Sequence, residues 1–264
     1  MTSPIIYDKN AIENLCSIDP LVQTEAAFQL IDAELSYEDL IKLISNPNQN
    51  LKHLGLLKIS EIRNKNDAEI IVSCLTGNES RIRELTSYKI KSFIQKEEYR
   101  QYFQNEYCLS AFCDGIMDVN PQVCRNISSI LNFVENKLFL TNKIINIMFD
   151  VTKKVANYSA YQDHKYVRLI FTLYWNFEAL TYLFKDNDIQ RLEYINDLIK
   201  ILEVTSDYTE YTIREKSAAL TFLLDKNGVE GLEYLKDKFL KDGNFYVRQA
   251  CTNLSYINMS PIKK

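Results

Sequence analysis

Glycine and proline are scarce in this chain, which has only six and five of them among 264 residues. Proteins built from many β-strands depend on both residue types for their tight turns. The shortage therefore argues against an all-β fold and is typical of helices joined by short connections. Hydrophobic residues at 46% and charged residues at 25% are the proportions of an ordinary folded protein.

Histidine is scarcer still, with only His53 and His164, and neither is followed by a glutamate. Two such residues are too few for a histidine-based metal site. Cys108 and Cys113 lie in a helical pattern with no further Cys or His pair nearby, so we predict buried thiols and not zinc ligands. No glycine-rich phosphate loop and no nucleophile elbow occurs either. The sequence therefore predicts no catalytic residue, no metal and no cofactor.

The charge is nearly balanced, because 31 basic and 35 acidic residues give a net charge of −4. A surface that follows nucleic-acid phosphates usually shows a basic excess, so binding to nucleic acid is not expected. The N-terminal residues lack the basic start and apolar run of a secretory signal. The most apolar window, Leu169 to Phe184, is interrupted by polar residues and is short for a bilayer span. We therefore expect a cytoplasmic protein without a membrane segment, whose cysteines are reduced.

A recurring pattern of helix starts organises the chain. Turns such as Asp19–Pro20, Asn46–Pro47 and Asn120–Pro121 precede stretches with apolar residues at helical spacing. Asp or Asn before Pro is typical of the end of one helix and the start of the next. Each turn is followed by an aliphatic residue that we call an anchor, and the anchors are Val22, Leu51, Ile82, Val123, Val167, Ile213 and Val247.

The residues that follow the anchors repeat as well. The next residue is basic in five of the seven cases, namely Lys52, Arg83, Arg168, Arg214 and Arg248. We interpret these cations as architectural, because they can pair with acidic groups of a neighbouring turn. One helical turn after the anchor a small residue is common, as in Ala26, Gly55, Thr86, Ser217 and Cys251. Small residues allow helices to approach closely, so the pattern predicts helix pairs that bury one another's apolar faces.

The sequence of turn, Val–Arg, small residue and Leu resembles HEAT repeats, including the short bacterial kind found in phycobilisome lyase-like proteins. It is clearest in Val247–Arg248 through Leu254 and in Ile213–Arg214 through Leu220, and it covers nearly the whole chain. The resemblance implies an all-α fold, a right-handed α-α superhelix of about seven helix pairs in a single domain over residues 1–264. It also implies that the helix with the anchor is the inner helix of each pair and lines a concave face.

Positions two and six residues beyond each anchor share one face of the inner helix, because they are four residues apart. In the register that the resemblance implies, these positions line the concave face. The candidates for partner binding are Phe28, His53, Leu57, Glu84, Tyr88, Arg125, Leu169 and Glu215. For Phe28, Leu57 and Leu173 the alternative is a place in the core between repeats.

An exposed apolar groove with a polar edge is typical of a site for a helix or an extended peptide. The sequence therefore predicts a non-enzymatic scaffold that binds another protein or peptide along its concave surface. Tyr158 and Tyr161, in a predicted loop, are secondary surface candidates because aromatic residues with polar tips are enriched in binding hot spots.

The alternative is a HEAT-like enzyme or enzyme accessory, similar either to alkylpurine DNA glycosylases or to bilin lyases. The glycosylases need an aspartate among aromatic residues in a basic channel. The only tryptophan here, Trp175, is followed by Glu178 and not by a well-placed aspartate. The paired His–Glu motifs of the HEAT-like enzyme deoxyhypusine hydroxylase are missing.

Overall fold

The computed structural model describes residues 9–31, 33–156, 164–184 and 194–252. Within these ranges the regular elements are helices and no strand occurs, which confirms the all-α prediction. The α-helices are α1 (Lys9–Asn14), α2 (Pro20–Ile31), α3 (Tyr37–Ser45), α4 (Gln49–Lys58), α5 (Lys65–Ser73), α6 (Ser80–Ile94), α7 (Glu97–Arg100), α8 (Glu106–Ile116), α9 (Pro121–Ser128), α10 (Lys137–Val155), α11 (His164–Phe184), α12 (Ile195–Thr205), α13 (Tyr211–Lys226), α14 (Glu233–Leu240) and α15 (Phe245–Thr252). Short 3₁₀ turns occupy Cys74–Thr76, Gln101–Phe103 and Leu131–Phe133.

These helices follow one another in pairs. α1 packs against α2, α3 against α4, α5 against α6, α10 against α11, α12 against α13, and α14 against α15. In the pair α8 and α9, the Ile127 side chain lies so close to Gly115 that an added Cβ would be 3.0 Å from its Cγ1. The described residues thus contain the seven pairs that the sequence predicts. The handedness of their stacking stays a prediction.

The chain divides into two compact units, Met1–Ala111 and Phe112–Lys264. In the first unit α4 packs against α6. In the second unit α11 packs against both α9 and α13, and α13 packs against α15. In these four contacts the second helices of neighbouring pairs therefore stack on one another. The single domain over residues 1–264 stays a prediction.

The anchors begin the second helix of each pair, as predicted. Six of the seven are the third residue of their helix, in α2, α4, α6, α9, α13 and α15. The preceding Asp or Asn caps the helix start: Asp19 Oδ1 accepts a hydrogen bond from Leu21 N at 2.9 Å. Asn120 Oδ1 accepts one from Gln122 N at 2.9 Å. The cap satisfies a backbone N–H that has no partner inside the helix.

Val167 is the exception, because it begins the second helix of its pair but is not packed into the core. It is the fourth residue of α11 and is 56% exposed, whereas full burial in α11 begins only at Leu173. α11 has 21 residues, five more than α13, the next longest helix that carries an anchor. The additional N-terminal turns carry Val167 beyond the part of α11 that is packed into the core.

We keep the name inner helix for the helix that carries the anchor, although its place on a concave face stays a prediction. The residue after the anchor ties this helix to the turn before it. In five pairs its side chain donates a hydrogen bond to the backbone carbonyl oxygen six residues earlier, and we call these bonds turn tethers. They join Gln23 to Ser17, Arg83 to Gly77, Cys124 to Asp118, Arg214 to Tyr208, and Arg248 to Asp242. The architectural role expected for the cations therefore holds, but their main partners are turn carbonyls. An acidic partner in a neighbouring turn, as expected, is found for Arg214, which also pairs with Asp242.

Lysines join the ends of successive inner helices in the first unit. Lys58 Nζ donates to the carbonyl oxygens of Ile31 at 2.7 Å and Ala33 at 2.9 Å. Lys89 Nζ does the same for Leu57 at 2.9 Å and Ile59 at 2.8 Å. The last carbonyls of a helix have no intrahelical donor, so each lysine satisfies them from the next inner helix. The C-terminal ends of α2, α4 and α6 are thereby held side by side.

No helix in the described ranges is long and apolar enough to cross a bilayer.

Candidate functional site

A groove of about 590 Å³ lies between α2 and α4 and ends against the start of α6. Its walls are Gln23, Thr24, Ala27, Phe28 and Ile31 from α2, and Gln49, Asn50, His53, Leu54 and Leu57 from α4. Within each helix these positions follow the spacing i, i+1, i+4, i+5 and i+8, which is one face of an α-helix. Eight steps at 1.5 Å per residue give a length of about 12 Å. This α2–α4 groove therefore runs parallel to the two helices that form it.

The two helices that form the walls run in the same direction, as the contacts at both ends of the groove show. Lys58 joins the C-terminal ends, as described above. At the other end Asn50 Nδ2, in the first turn of α4, donates to the carbonyl oxygen of Leu15, which also lines the groove. The groove is thus built into the fold and does not depend on a ligand to hold its walls in place.

The groove is polar at one end and apolar at the other. Gln23, Thr24, Gln49 and Asn50 lie where α2 and α4 begin, together with Glu79 and Arg81 from the start of α6. Ala27, Phe28, Ile31, Leu54 and Leu57 line the opposite end. At that end Phe28 is 69% exposed, Ile31 54% and Leu57 50%, although all three are large and apolar.

His53 lies between the two ends of the groove. Burial lowers its pKa from the ordinary value, and the positive charge of Arg81 lowers it further. Arg81 itself forms no ion pair with the residues that the structure describes. At neutral pH the groove therefore holds a neutral imidazole beside an unpaired guanidinium.

The depressed pKa of His53 predicts how stability responds to acid. The folded protein binds a proton at His53 less readily than the unfolded chain does. The contribution of His53 to the free energy of unfolding is therefore complete above pH 6.5 and is lost as the pH falls below that value. Between pH 7 and 8 the free energy of unfolding of His53→Gln should vary with pH as that of the wild type does. From pH 6.5 towards 5 the variant should become more stable relative to the wild type. Urea unfolding at a series of pH values measures this, with His164→Gln as the control. Parallel curves for His53→Gln and wild type would contradict a depressed pKa.

The structure brings three of the eight sequence-predicted residues together, since Phe28, His53 and Leu57 all line the α2–α4 groove. Their exposure places Phe28 and Leu57 at the surface, whereas Leu173 is fully buried and belongs to the core. Glu84 and Tyr88 are exposed on α6, outside the groove lining. Lys89, the residue after Tyr88, donates to the carbonyl oxygen of Leu57 at the apolar end of the groove. Tyr88 therefore lies on the turn of α6 that is next to this end.

The other three candidates, Arg125, Leu169 and Glu215, belong to the second unit. Glu215 is half-buried, and burial together with the Glu178 carboxylate raises its pKa. Glu178 in turn pairs with Lys216, whose Nζ lies 2.6 Å from Glu178 Oε2. Arg125 and Glu215 thus belong to a charged neighbourhood around α11, while Leu169 is half-buried nearer the start of that helix.

Arg125 reaches that neighbourhood from α9. Burial and Glu178 raise the pKa of Tyr182 on α11, and the nearby charges of Lys216 and Arg125 lower it in part. Within this group of charges, Lys216 and Glu178 neutralise each other as an ion pair. It differs in character from the open apolar end of the α2–α4 groove. Tyr158 and Tyr161 lie outside the described residues.

Ile31 and Arg81 line the groove, but they were not among the sequence candidates. Those candidates lie two or six residues beyond an anchor, and we call this choice the column rule. Ile31 carries a signal in the sequence, because Leu21, Phe28 and Ile31 form a second apolar stripe on α2, away from the buried Ala26 and Leu30. A helix with two apolar faces predicts a second contact surface. Arg81 carries no such signal, since it precedes an anchor.

Cys108 and Cys113 are free, buried thiols, as predicted, and burial raises their pKa values to about 11 and about 12. Among the described residues no group of three or more His, Cys, Asp or Glu side chains is arranged to hold a metal ion.

No family model and no curated protein matches this chain. Solved structures do align with it along most of its length. They include one engineered protein (TM-score 0.41, 13% identity, 94% of this chain and 95% of that chain) and a second (0.42, 14%, 95% and 98%). A designed armadillo repeat protein aligns with a TM-score of 0.41 and 15% identity over 94% of this chain and 98% of that one. The packing of helix pairs in each unit itself agrees with the resemblance to HEAT repeats found in the sequence.

Proposed function

We propose that this protein binds a peptide segment of another protein in the α2–α4 groove and catalyses no reaction. The observation that carries the proposal is the apolar end, where Phe28, Ile31 and Leu57 line one groove and yet remain at least half exposed. Clustered apolar surface of this kind marks interaction sites, because a partner's apolar side chains remove it from water.

A rigid groove supports this function because binding then orders few groups. Lys58 and Lys89 hold the ends of α2, α4 and α6 together. Little conformational freedom remains to be lost when a partner enters, so more of the contact energy appears as affinity. Phe28 offers a ring of the aromatic type that carries much of the binding energy at many interfaces.

The proposed setting is the one expected from the sequence. The partner is another protein or peptide, met in the cytoplasm by one continuous domain over residues 1–264. The near balance of 31 basic and 35 acidic residues supports a partner other than nucleic acid.

Selection of displayed linear peptides against the full chain tests this function. Peptides enriched on the wild-type protein are expected to lose at least about 100-fold in affinity for the Phe28→Asp/Leu57→Asp variant, because two hot-spot contacts are replaced by charges. Fluorescence polarisation gives the Kd values. Since both side chains are exposed, urea unfolding should show little change in stability.

A matched variant, Val119→Asp/Leu240→Asp, places the same charges on exposed apolar positions of the second unit. It should bind the selected peptides as the wild-type protein does. The proposal fails if no peptide is enriched, or if the enriched peptides bind the Phe28→Asp/Leu57→Asp variant with unchanged affinity.

A further inference from the structure

The proposed function does not specify the conformation of the bound peptide, but the geometry of the groove favours one conformation. We infer that the occupant of the α2–α4 groove is an amphipathic α-helix of two to three turns that lies antiparallel to α2 and α4, with its last carbonyls at Arg81. This inference rests on the proposed function and adds the form and direction of the partner.

The direction of the groove favours a helix. Two parallel helices present the same spacing, i, i+1, i+4, i+5 and i+8, along its whole length. Such faces form the ridges and holes into which the side chains of a third helix pack. A length of about 12 Å corresponds to slightly more than two helical turns at 5.4 Å each.

The apolar end disfavours an extended peptide. Ala27, Phe28, Ile31, Leu54 and Leu57 have no side-chain hydrogen-bonding groups, so the backbone of an extended chain would be left without partners there. Removing an unsatisfied peptide group from water is unfavourable. A helix satisfies its own backbone and presents only side chains to the groove.

The polar end offers few free donors to an extended backbone. The side-chain amide nitrogens of Gln23, Gln49 and Asn50 already donate to the carbonyls of Ser17, Pro47 and Leu15. Those bonds hold the helix starts in place. One N–H of each amide is therefore committed to the walls of the groove, and the N–H that remains on each is held in a direction set by that bond.

The charges at the polar end set the direction of the helix. α2, α4 and α6 all begin there, and helix starts carry a partial positive charge. Arg81 adds a guanidinium without an ion pair among the described residues, and its charge reaches His53 inside the groove. Glu79 lines the same end and opposes this charge with one carboxylate, which the guanidinium and the three helix starts together outweigh. The negative C-terminal end of a partner helix complements this end, so the partner lies antiparallel.

Arg81 would then do for the partner what Lys58 and Lys89 do within the protein. Each of those lysines donates to the last carbonyls of the neighbouring inner helix. Arg81 is placed to donate to the last carbonyls of a helix that enters from outside. A cation at a helix C-terminus is favourable for the same electrostatic reason.

The test uses a selected peptide that depends on Phe28 and Leu57, trimmed to the shortest fragment that keeps its affinity. Proline at its centre should weaken binding to the full chain at least about 30-fold, because it removes a helical hydrogen bond and breaks the helix. The form with a free C-terminal carboxylate should bind about threefold tighter than the amidated form. That preference should disappear in Arg81→Ala and persist in Arg168→Ala, which removes an exposed arginine of the second unit.

The outcomes separate this inference from the proposed function. If the peptide depends on Phe28 and Leu57 but tolerates the proline, or if Arg81→Ala leaves the carboxylate preference intact, the antiparallel helix is wrong and the groove remains a binding site. If no peptide depends on Phe28 and Leu57, the proposed function itself fails. A dimer in sedimentation that Phe28→Asp dissociates would assign the groove to a second copy of the chain and overturn the inference.

Discussion

Replacing Arg214 by leucine is expected to lower the free energy of unfolding by about 3 kcal/mol. Arg214 pairs with Asp242 through two bonds, Nε to Oδ2 at 2.7 Å and Nη2 to Oδ1 at 3.2 Å. Its Nη1 also donates to the carbonyls of Tyr208 at 2.6 Å and Thr209 at 3.0 Å. The two charged side chains are only 17% and 11% exposed. Leucine would leave a mostly buried carboxylate without its hydrogen-bonded cation, while the nearby charge of Arg248 and the bond from Asn244 N would remain. Breaking a fully buried pair costs on the order of 3–5 kcal/mol, and less is expected here.

Urea unfolding of Arg214→Leu against wild type measures this loss. Arg168→Leu is the matched control, since Arg168 also follows an anchor but is exposed, and it should change stability by no more than about 0.5 kcal/mol. The hydrogen bonds from Arg214 hold the pKa of Asp242 below its ordinary value of 3.8. Stability from this pair is therefore present above pH 3.8 and is lost as the pH falls, so the gap between the two proteins should narrow in acid. An equal loss in both arginine variants would contradict this account.

Gly55→Val is expected to destabilise the first unit by about 3 kcal/mol. A Cβ at this position would lie 2.8 Å from Ile44 Cγ1 and 3.0 Å from two backbone atoms of α3, Ile44 N and Leu40 O. The Ile44 side chain could turn aside, but the backbone of α3 could not without moving away from α4. Overpacking of this kind costs about 1–3 kcal/mol, and valine adds two methyl groups to the clash.

The control for Gly55→Val is Gln29→Val, which places valine at an exposed position of α2. This variant measures the cost of valine in an exposed helix position. The expected loss in the free energy of unfolding is less than about 0.7 kcal/mol. Chemical unfolding followed by circular dichroism compares the two variants. A loss for Gly55→Val no larger than that for Gln29→Val would contradict the close α3–α4 contact, because helix propensity by itself favours valine over glycine.

The helix pairs were predictable because their signals are local. Asp19 and Asn120 cap the helices that begin one residue later, and the anchors Leu51, Ile82 and Val247 are buried at the third helical position. A cap and an anchor act within one turn of chain, so the sequence alone is enough to recognise them. Val167 is exposed, unlike these anchors, because its surroundings depend on the length of α11, which no local signal sets.

The groove could be predicted only in part, for the same reason. The column rule selected Phe28, His53 and Leu57 because residues four apart share a helix face whatever the fold. The separation of α2 and α4 that opens the groove, and the position of Arg81 at its end, arise from contacts between helices far apart in sequence. The second apolar stripe on α2 indicates a contact surface there, but no local pattern sets the separation of the two helices or the position of Arg81.

The turn tethers have a consequence for the order in which this chain folds. Each closes a loop of only six residues, as from Arg83 to Gly77, so little chain entropy is lost when it forms. The Arg214–Asp242 pair, by comparison, spans 28 residues and requires two helix pairs to have met. Low contact order of this kind is associated with rapid folding. The turn within a helix pair can thus form before the contacts that join it to a later pair.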